Sequence, residues 1–376
     1  MTIHWCGTGL SAVPGLRRLI ENGHPVTVWN RTEAKAREAV GDLTDDIHAF
    51  DRDALAAVLK PGDVIVSMLP GDWHVPLAEL ALDKGAQFVS SSYISPEMRA
   101  LDARAKQADA RLINEVGLDP GIDHLMAHWL VADYRASDAF DADNALSFTS
   151  YCGGVPKIPN AFRYKFSWAP VGVLKALKSP SRSIRHFSEL NVDRPWDALS
   201  RYDAPLPNTE SFEVYPNRDS LPFMADYGFE DAWKVKNFVR GTLRLNGWAE
   251  AWKDIFAEAG TATDARLQEI ADKLLAENAY DADEPDRVVL CVALEAEKDG
   301  TPVYHKTYVM DAWGDARSSA MARLVSIPVS LAVEAVLDRA VPAGVSAAPS
   351  DPKLVAGWLD QVQSLAQHLN VVDHLA

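Results

Sequence analysis

The stretch "TIHWCGTGLSAVPGLRRLI" limits what this chain can fold into more than any other. Thr2 to Cys6 is short and β-prone, Gly7 and Gly9 follow at once, and Leu16 to Ile20 carries helical apolar spacing. Gly23 then stops the helix and "PVTVW" reads as a buried strand, so the N-terminal segment spells a strand–turn–helix–strand unit. Gly7, Gly9 and Ala12 stand in the order of the dinucleotide fingerprint. Gly7 permits the tight turn, Gly9 lets the backbone approach a pyrophosphate, and Ala12 is small enough for helix and strand to pack closely. The helix N-terminus supplies donors and partial positive charge.

The end of the second strand selects the nicotinamide type. An NAD site usually places an acid there to hold the ribose 2′-hydroxyl, whereas this chain has Asn30, Arg31 and Thr32. A guanidinium beside a hydroxyl suits a 2′-phosphate, and the expected cofactor is NADP. Strand and helix patterns keep alternating through "LAAVLKPGDVIVSMLP", "HVPLAELALDKG" and "AQFVSSS", which implies a parallel sheet with helices on both faces. After about residue 125 the texture changes to longer, polar-alternating strands such as "ALSFTSYCGG" and "RVVLCVALEAEKDGTPVYHKTYVM". The expected fold is therefore α/β, with an N-terminal Rossmann doubly wound parallel sheet and a second α+β domain of mainly antiparallel sheet. The expected boundaries are 1–125 for the NADP-binding domain and 126–335 for the substrate domain. A C-terminal helical segment, 336–376, is expected to follow the linker-like "VPAGVSAAPSDP" and to pack back on the first domain.

Composition removes several classes of function. A formal net charge of −16 repels phosphate backbones and anionic lipid, so neither nucleic acid nor membrane is the expected partner. Cys6, Cys152 and Cys291 are too few and too scattered for a disulfide framework or a CxxC zinc site. The first residues show no basic segment followed by an apolar run, and the expected location is the cytoplasm.

The middle of the chain carries longer blocks. "VSSSYISPEMRAL", "INEVGLDPGIDHLMA", "SYCGGVP", "YKFSWAPVGVLKAL", "YPNRDS" and "RGTLRLNGW" resemble the saccharopine reductases, the NADP-dependent, L-glutamate-forming saccharopine dehydrogenases. The likeness runs in order from residue 1 to about residue 250. It implies hydride transfer at a carbon–nitrogen bond, interconverting saccharopine with L-glutamate and L-2-aminoadipate 6-semialdehyde. Such a substrate carries three carboxylates around a secondary amine, so its pocket needs fixed cations. Arg218 and Arg244 match family positions that bind substrate carboxylates, with Thr242 and the backbone of Leu243 beside them. Ser92 and Tyr93, just past a parallel strand, match further substrate contacts, as does Asp119 in "LDPG". The resemblance also implies cofactor contacts from Thr8, Leu10, Ser11, Asp51, Leu69, Ser90, Ser91, Gly117, Leu118 and Trp168.

Asp119, Tyr93, Cys152 and Lys165 are candidates for the proton steps, and the sequence does not choose among them. Cys152, beside two glycines, reads equally well as a small packing residue. Asp123, His124 and His128 have a spacing that suggests a metal, but there is no HExxH motif and no cysteine pair, so none is expected. His124 reads instead as a hydrogen-bonder at a helix start or in a loop. A related imine reductase, of the carboxyspermidine or homospermidine type, would want acids where Arg218 and Arg244 stand. A non-catalytic NADP-binding protein of the same fold is the reading from another class. The apolar late helices suggest a homodimer.

Overall fold

The computed structural model describes residues 1–281 and 283–376. The chain divides into two units, Met1–Leu125 with Ala322–Val362, and Met126–Met321 with Gln363–Ala376. The first begins β1 (Ile3–Cys6), α1 (Val13–Glu21), β2 (Val26–Asn30), α2 (Glu33–Val40), β3 (Ile47–Ala49), α3 (Arg52–Val58) and β4 (Val64–Ser67). It continues α4 (His74–Lys84), β5 (Gln87–Ser90), α5 (Pro96–Ala100), α6 (Asp102–Gln107) and β6 (Arg111–Ile113), and α7 (Ile122–Ala136) starts at its end. The second contains β7 (Ala145–Pro156), α8 (Pro170–Leu177), β8 (Ser181–Arg185), β9 (Ser188–Val192), β10 (Ser200–Ala204), β11 (Glu210–Pro216), α9 (Pro222–Asp226) and β12 (Lys234–Leu245). Then come α10 (Trp248–Ala251), α11 (Lys253–Thr261), α12 (Asp264–Glu277), β13 (Asp286–Lys298) and β14 (Thr301–Trp313). The chain closes with α13 (Ala320–Leu337), β15 (Gly344–Ser346), α14 (Pro352–Gln363) and β16 (His368–Asp373).

The N-terminal unit is built on a seven-stranded sheet in the order β15-β6-β5-β4-β1-β2-β3, with every pair parallel. β1 and β4 are buried along their whole length, as strands covered on both faces must be. Cys6, Trp29, Ile65, Leu77, Phe88 and Val345 belong to one apolar core there. Local chemistry sets the helix ends: the Ser95 hydroxyl accepts from the Met98 N–H to start α5, and Gly85, at φ 69°, stops α4 in the left-handed conformation.

The second unit holds a nine-stranded sheet in the order β10-β11-β12-β7-β13-β14-β16, with the β8–β9 hairpin attached to β12. Only β12 and β7 run parallel; the other pairs are antiparallel. One core, around Leu243, Phe212, Val214 and Val289, lies on one face. A second joins α8, α10, α11 and α12 through Leu174, Trp248, Ala259 and Leu267.

The fold class agrees with the sequence reading, but the C-terminal boundaries differ. The expected limit at 335 falls inside α13, which belongs to the N-terminal unit from Ala322 onward. The supposed linker "VPAGVSAAPSDP" contains β15, whose Gly344–Ser346 pairs with Arg111–Ile113 as an edge strand of the parallel sheet. The tail of the expected helical segment is β16, which pairs with β14 in the second unit. Both strands are short and lack the apolar run that announces a buried strand. α13 is long and apolar enough to cross a membrane by composition alone, yet 78% of that window is buried inside the chain.

The packing of α13 on α1 depends on one glycine. The Gly15 N–H donates to the Ser326 hydroxyl at 2.8 Å, and a Cβ at position 15 would lie 1.9 Å from the Ser326 carbonyl oxygen. Gly15→Ala is expected to destabilise the chain by roughly 1–3 kcal/mol through overpacking. Urea unfolding would show a lower midpoint; a wild-type midpoint would refute the close helix contact.

Candidate active site

The glycine turn sits at the carboxyl end of β1. Gly7 has φ +105°, and a Cβ there would lie 2.7 Å from the Met68 carbonyl oxygen, so neither the conformation nor the space admits a side chain. The Trp5 indole donates to the Gly7 carbonyl at 2.9 Å, and the Gly7 N–H donates to the Trp29 carbonyl at 2.8 Å. Ala12 is buried, while Gly9 faces open space and Leu10 and Ser11 lie beside it in the turn. The side-chain oxygen of Asn30 accepts from the Thr8 N–H at 3.1 Å, and its amide donates to the Thr32 carbonyl at 2.8 Å. Asn30 thus ties the end of β2 to the glycine turn. Arg31 is exposed and has no ion pair or hydrogen bond among the described residues.

These residues fit a dinucleotide. The Thr8 hydroxyl is buried without a hydrogen-bond partner, the space at Gly9 is open, and the Arg31 cation is uncommitted. Leu69 reaches to the side of Gly7. Asp51 caps α3 with one carboxylate oxygen, Oδ1, which accepts from the Ala54 N–H at 2.8 Å, a demand of the helix end itself.

The loops after β5 and β6 are stitched together residue by residue. The Ser90 hydroxyl donates to the Asn114 side chain at 3.0 Å, and the Ser91 hydroxyl points to the Met68 sulfur. The Ser92 carbonyl accepts from the Glu115 N–H at 3.1 Å, the Tyr93 hydroxyl donates to Asp119 Oδ1 at 3.0 Å, and the Ile94 N–H donates to Glu115 Oε1 at 2.8 Å. Tyr93 and Asp119 are therefore brought together. The Asp119–Pro120 peptide is cis. Gly117 and Gly121 pack backbone on backbone, since a Cβ on Gly121 would lie 2.1 Å from the Gly117 carbonyl oxygen, and Leu118 between them is buried. His124 stands at the start of α7 with Nε2 2.9 Å from Glu115 Oε2, as expected of a helix-start hydrogen-bonder. Asp123 accepts from the Gly121 N–H at 2.7 Å.

In the second unit, Thr242 and Arg244 share one face of β12 because strand side chains alternate, and the Leu243 side chain goes to the core on the other. Cys152 is the register partner of Thr242 on β7 and is buried. Arg244 is 5% exposed, yet has no carboxylate partner among the described residues. Its Nη2 donates to the Tyr215 hydroxyl at 3.1 Å, and its guanidinium centre lies 4.8 Å from the Tyr164 ring, 5.8 Å from Tyr215 and 5.4 Å from Trp248. Arg244 Nε, the Tyr164 hydroxyl and the Trp248 indole N–H are all buried without hydrogen-bond partners. Burial raises the Tyr164 pKa, with Arg244 and Trp168 pulling the other way. Trp168 stands beside this group in the aromatic core. Arg218, exposed and at φ 57°, lies in the turn after β11 rather than in the cage. Lys165 is ion-paired with Glu284, which removes it from the proton candidates.

Sequence comparison agrees with this arrangement. Residues 3–113 match the saccharopine dehydrogenase NADP binding domain and residues 117–365 match the saccharopine dehydrogenase C-terminal domain. The chain belongs to the saccharopine dehydrogenase family. It is 28% identical to the NADP(+), L-glutamate-forming saccharopine dehydrogenase of Pyricularia oryzae, over 93% of each chain. The apo saccharopine dehydrogenase (L-Glu forming) of Saccharomyces cerevisiae superposes with TM-score 0.79 at 26% identity, covering 99% of each chain. A homospermidine synthase of Legionella pneumophila, at 11% identity and TM-score 0.62 over 99% of this chain and 91% of its own, shares the fold.

Two groups escaped the sequence reading. The Tyr164, Tyr215 and Trp248 rings around Arg244 come from three segments, and nothing local marks them. His74 was read only as part of a helix, yet its Nε2 lies 2.7 Å from the Ser92 hydroxyl and its Nδ1 2.9 Å from the Ser67 hydroxyl. Burial pushes its pKa down to about 4, against the opposing charge of Asp72.

Two measurements follow from this geometry. Arg31→Ala is expected to weaken NADP binding about ten- to a hundredfold, the loss of one charge-assisted contact, while leaving NAD binding little changed. Equal loss for both cofactors would refute a 2′-phosphate role. The second concerns pH. The folded chain holds His74 neutral until about pH 4, whereas the unfolded chain protonates it near its ordinary value of 6.5. Its contribution to stability is complete above pH 6.5 and is lost as pH falls toward 4, on the order of 3 kcal/mol, with buried His4 acting in the same direction. Urea titrations of His74→Gln should give a shallower fall than wild type across that window; parallel curves would show His74 to be solvated.

Proposed function

We propose that this protein is an NADP-dependent saccharopine dehydrogenase of the L-glutamate-forming kind, interconverting saccharopine and water with L-glutamate, L-2-aminoadipate 6-semialdehyde and a reducing equivalent. The observation that carries the reading is Arg244, a buried guanidinium held in an aromatic cage with no acid paired to it among the described residues. A cation so placed calls for an anionic ligand, and a substrate with three carboxylates supplies one. A polyamine-derived imine would leave that charge unpaired. The full-length match to relatives named for this activity supports the same conclusion.

NADP, when bound, accepts or supplies the hydride at the carbon–nitrogen bond. The rest falls to the chain. Arg244, with Thr242, Leu243 and Arg218, takes substrate carboxylates. Ser92, Tyr93 and Asp119 face the substrate amine, and the hydrogen-bonded Tyr93–Asp119 pair relays the proton that the nitrogen loses or gains as the imine forms and is split by water. Cys152, next to Thr242, borders the carboxylate site. Gly7 to Ala12, Asn30 to Thr32, Leu69, Ser90, Ser91, Gly117, Leu118 and Trp168 serve the cofactor. Cytoplasmic residence belongs to this proposal on the strength of three free cysteines, and a homodimer is its oligomeric reading, testable by light scattering.

Saccharopine and NADP with the purified protein should yield glutamate and the semialdehyde, identified by mass spectrometry; lysine and 2-oxoglutarate as products would refute the assignment. Arg244→Lys, which keeps the charge and loses the fork, is expected to lower kcat/KM for saccharopine roughly ten- to a hundredfold with NADPH affinity retained. Unchanged saccharopine kinetics in that variant would remove Arg244 from the substrate site.

A further inference from the structure

We infer that His74 is a positioning residue that fixes the hydroxyl of Ser92 for the substrate, an inference resting on the substrate-facing role proposed above for Ser92. The backbone of Ser92 is already held, its carbonyl by the Glu115 N–H at 3.1 Å and its own N–H by the Ser90 hydroxyl at 3.3 Å. What remains free is the side-chain rotor and the direction of its single proton. The His74 imidazole removes both freedoms. It stands at the first residue of α4, is 8% exposed, and touches Ser92 Oγ through Nε2 at 2.7 Å and the fully buried Ser67 Oγ through Nδ1 at 2.9 Å.

A neutral imidazole has one donor and one acceptor, so only one of the two serines can receive its proton. If Nε2 accepts, Ser92 presents two lone pairs outward and suits an N–H of the substrate amine. If Nε2 donates, Ser92 keeps its proton for a substrate oxygen. In either tautomer the imidazole, not solvent, sets the polarity of the hydroxyl. Ser67, at the end of β4, anchors the far side of the ring, so β4, α4 and the loop after β5 together hold one hydroxyl. The lowered pKa of His74 keeps it out of general base chemistry near neutrality and leaves the orienting role intact.

The test is a double-variant cycle on the full-length protein with saccharopine and NADP. Asn places its amide near the Nδ1 position and Gln near Nε2, so His74→Asn keeps the Ser67 side of the bridge and His74→Gln the Ser92 side. His74→Asn is expected to lower kcat/KM for saccharopine roughly tenfold, mainly through KM, with the NADPH dissociation constant changed less than twofold. His74→Gln should return to within about threefold of wild type. In a Ser92→Ala background, His74→Asn should cost nothing further, because the hydroxyl it positions is gone. Ser67→Ala, which leaves the ring in place, is the milder arm should His74→Asn fold poorly, and its smaller KM effect should likewise vanish over Ser92→Ala. Losses that multiply in the double variants, or wild-type KM in both His74→Asn and Ser67→Ala, overturn the inference alone. A wild-type protein that does not turn over saccharopine overturns the functional reading and this inference together.

Discussion

Parallel strands deliver all their following loops to one edge of a sheet, and the N-terminal unit depends on that constraint. Its strand order reverses between β1 and β4, so the loops on either side of that pair diverge to opposite faces and leave a crevice at their carboxyl ends. Gly7 to Ala12 follow β1, Asn30 ends β2 with Arg31 and Thr32 after it, Leu69 follows β4, and Ser90 ends β5 with Ser91 to Tyr93 after it. Residues scattered over almost the whole unit are thereby collected at one end without any long loop. The glycine turn then needs only local adjustments: a left-handed glycine and an Asn30 side-chain oxygen that accepts from the Thr8 N–H.

The second unit solves a different problem. Burying a guanidinium without an acid costs several kcal/mol, and here the cost is offset only in part, by three aromatic faces and the Tyr215 hydroxyl. Glu213, the register partner of Arg244 on β11, is occupied with the Gly247 and Ala249 N–H groups at the start of α10, each at 2.8 Å. That acid is thus committed to a helix start and not to the cation. The three rings and the Tyr215 hydroxyl also restrict the arginine side chain to one arrangement.

What the sequence disclosed follows from how far apart the cooperating residues lie in the chain. Gly7, Gly9, Ala12 and the Asn30–Arg31 pair were legible because a strand, a turn and a helix in succession give each a local meaning. The alternation of strands and helices revealed the parallel sheet for the same reason. β15 was hidden in an Ala/Pro/Gly-rich stretch because a three-residue edge strand needs only backbone partners, and β16 because its half-exposed residues continue the apparent helical spacing of α14. The cap that Asp51 gives to the α3 N-terminus went unremarked, although an Asp just before a helix start commonly takes that role. Tyr164, Tyr215 and Trp248 meet Arg244 only after the second sheet has formed, so no window of sequence contains their relation.

The stretch "NEVGLDPGIDHLMA" shows how one segment can hold three acids with separate purposes. Glu115 sits at φ 55°, in the left-handed region that disfavours a side chain, and what keeps it there is its own carboxylate, bonded to the Ile94 N–H on one oxygen and to His124 on the other. Asp123 accepts from the Gly121 N–H and lies 3.8 Å from the other nitrogen of the same imidazole, so two buried acids flank one histidine. Those bonds lock the two ends of a loop whose glycines touch backbone to backbone. Asp119, at the tip, is only half-buried and turns to Tyr93. The division follows from burial: the two enclosed acids spend their oxygens on the chain's own backbone and on His124, which fixes the ends of the segment, and Asp119 between them stands at its half-exposed tip.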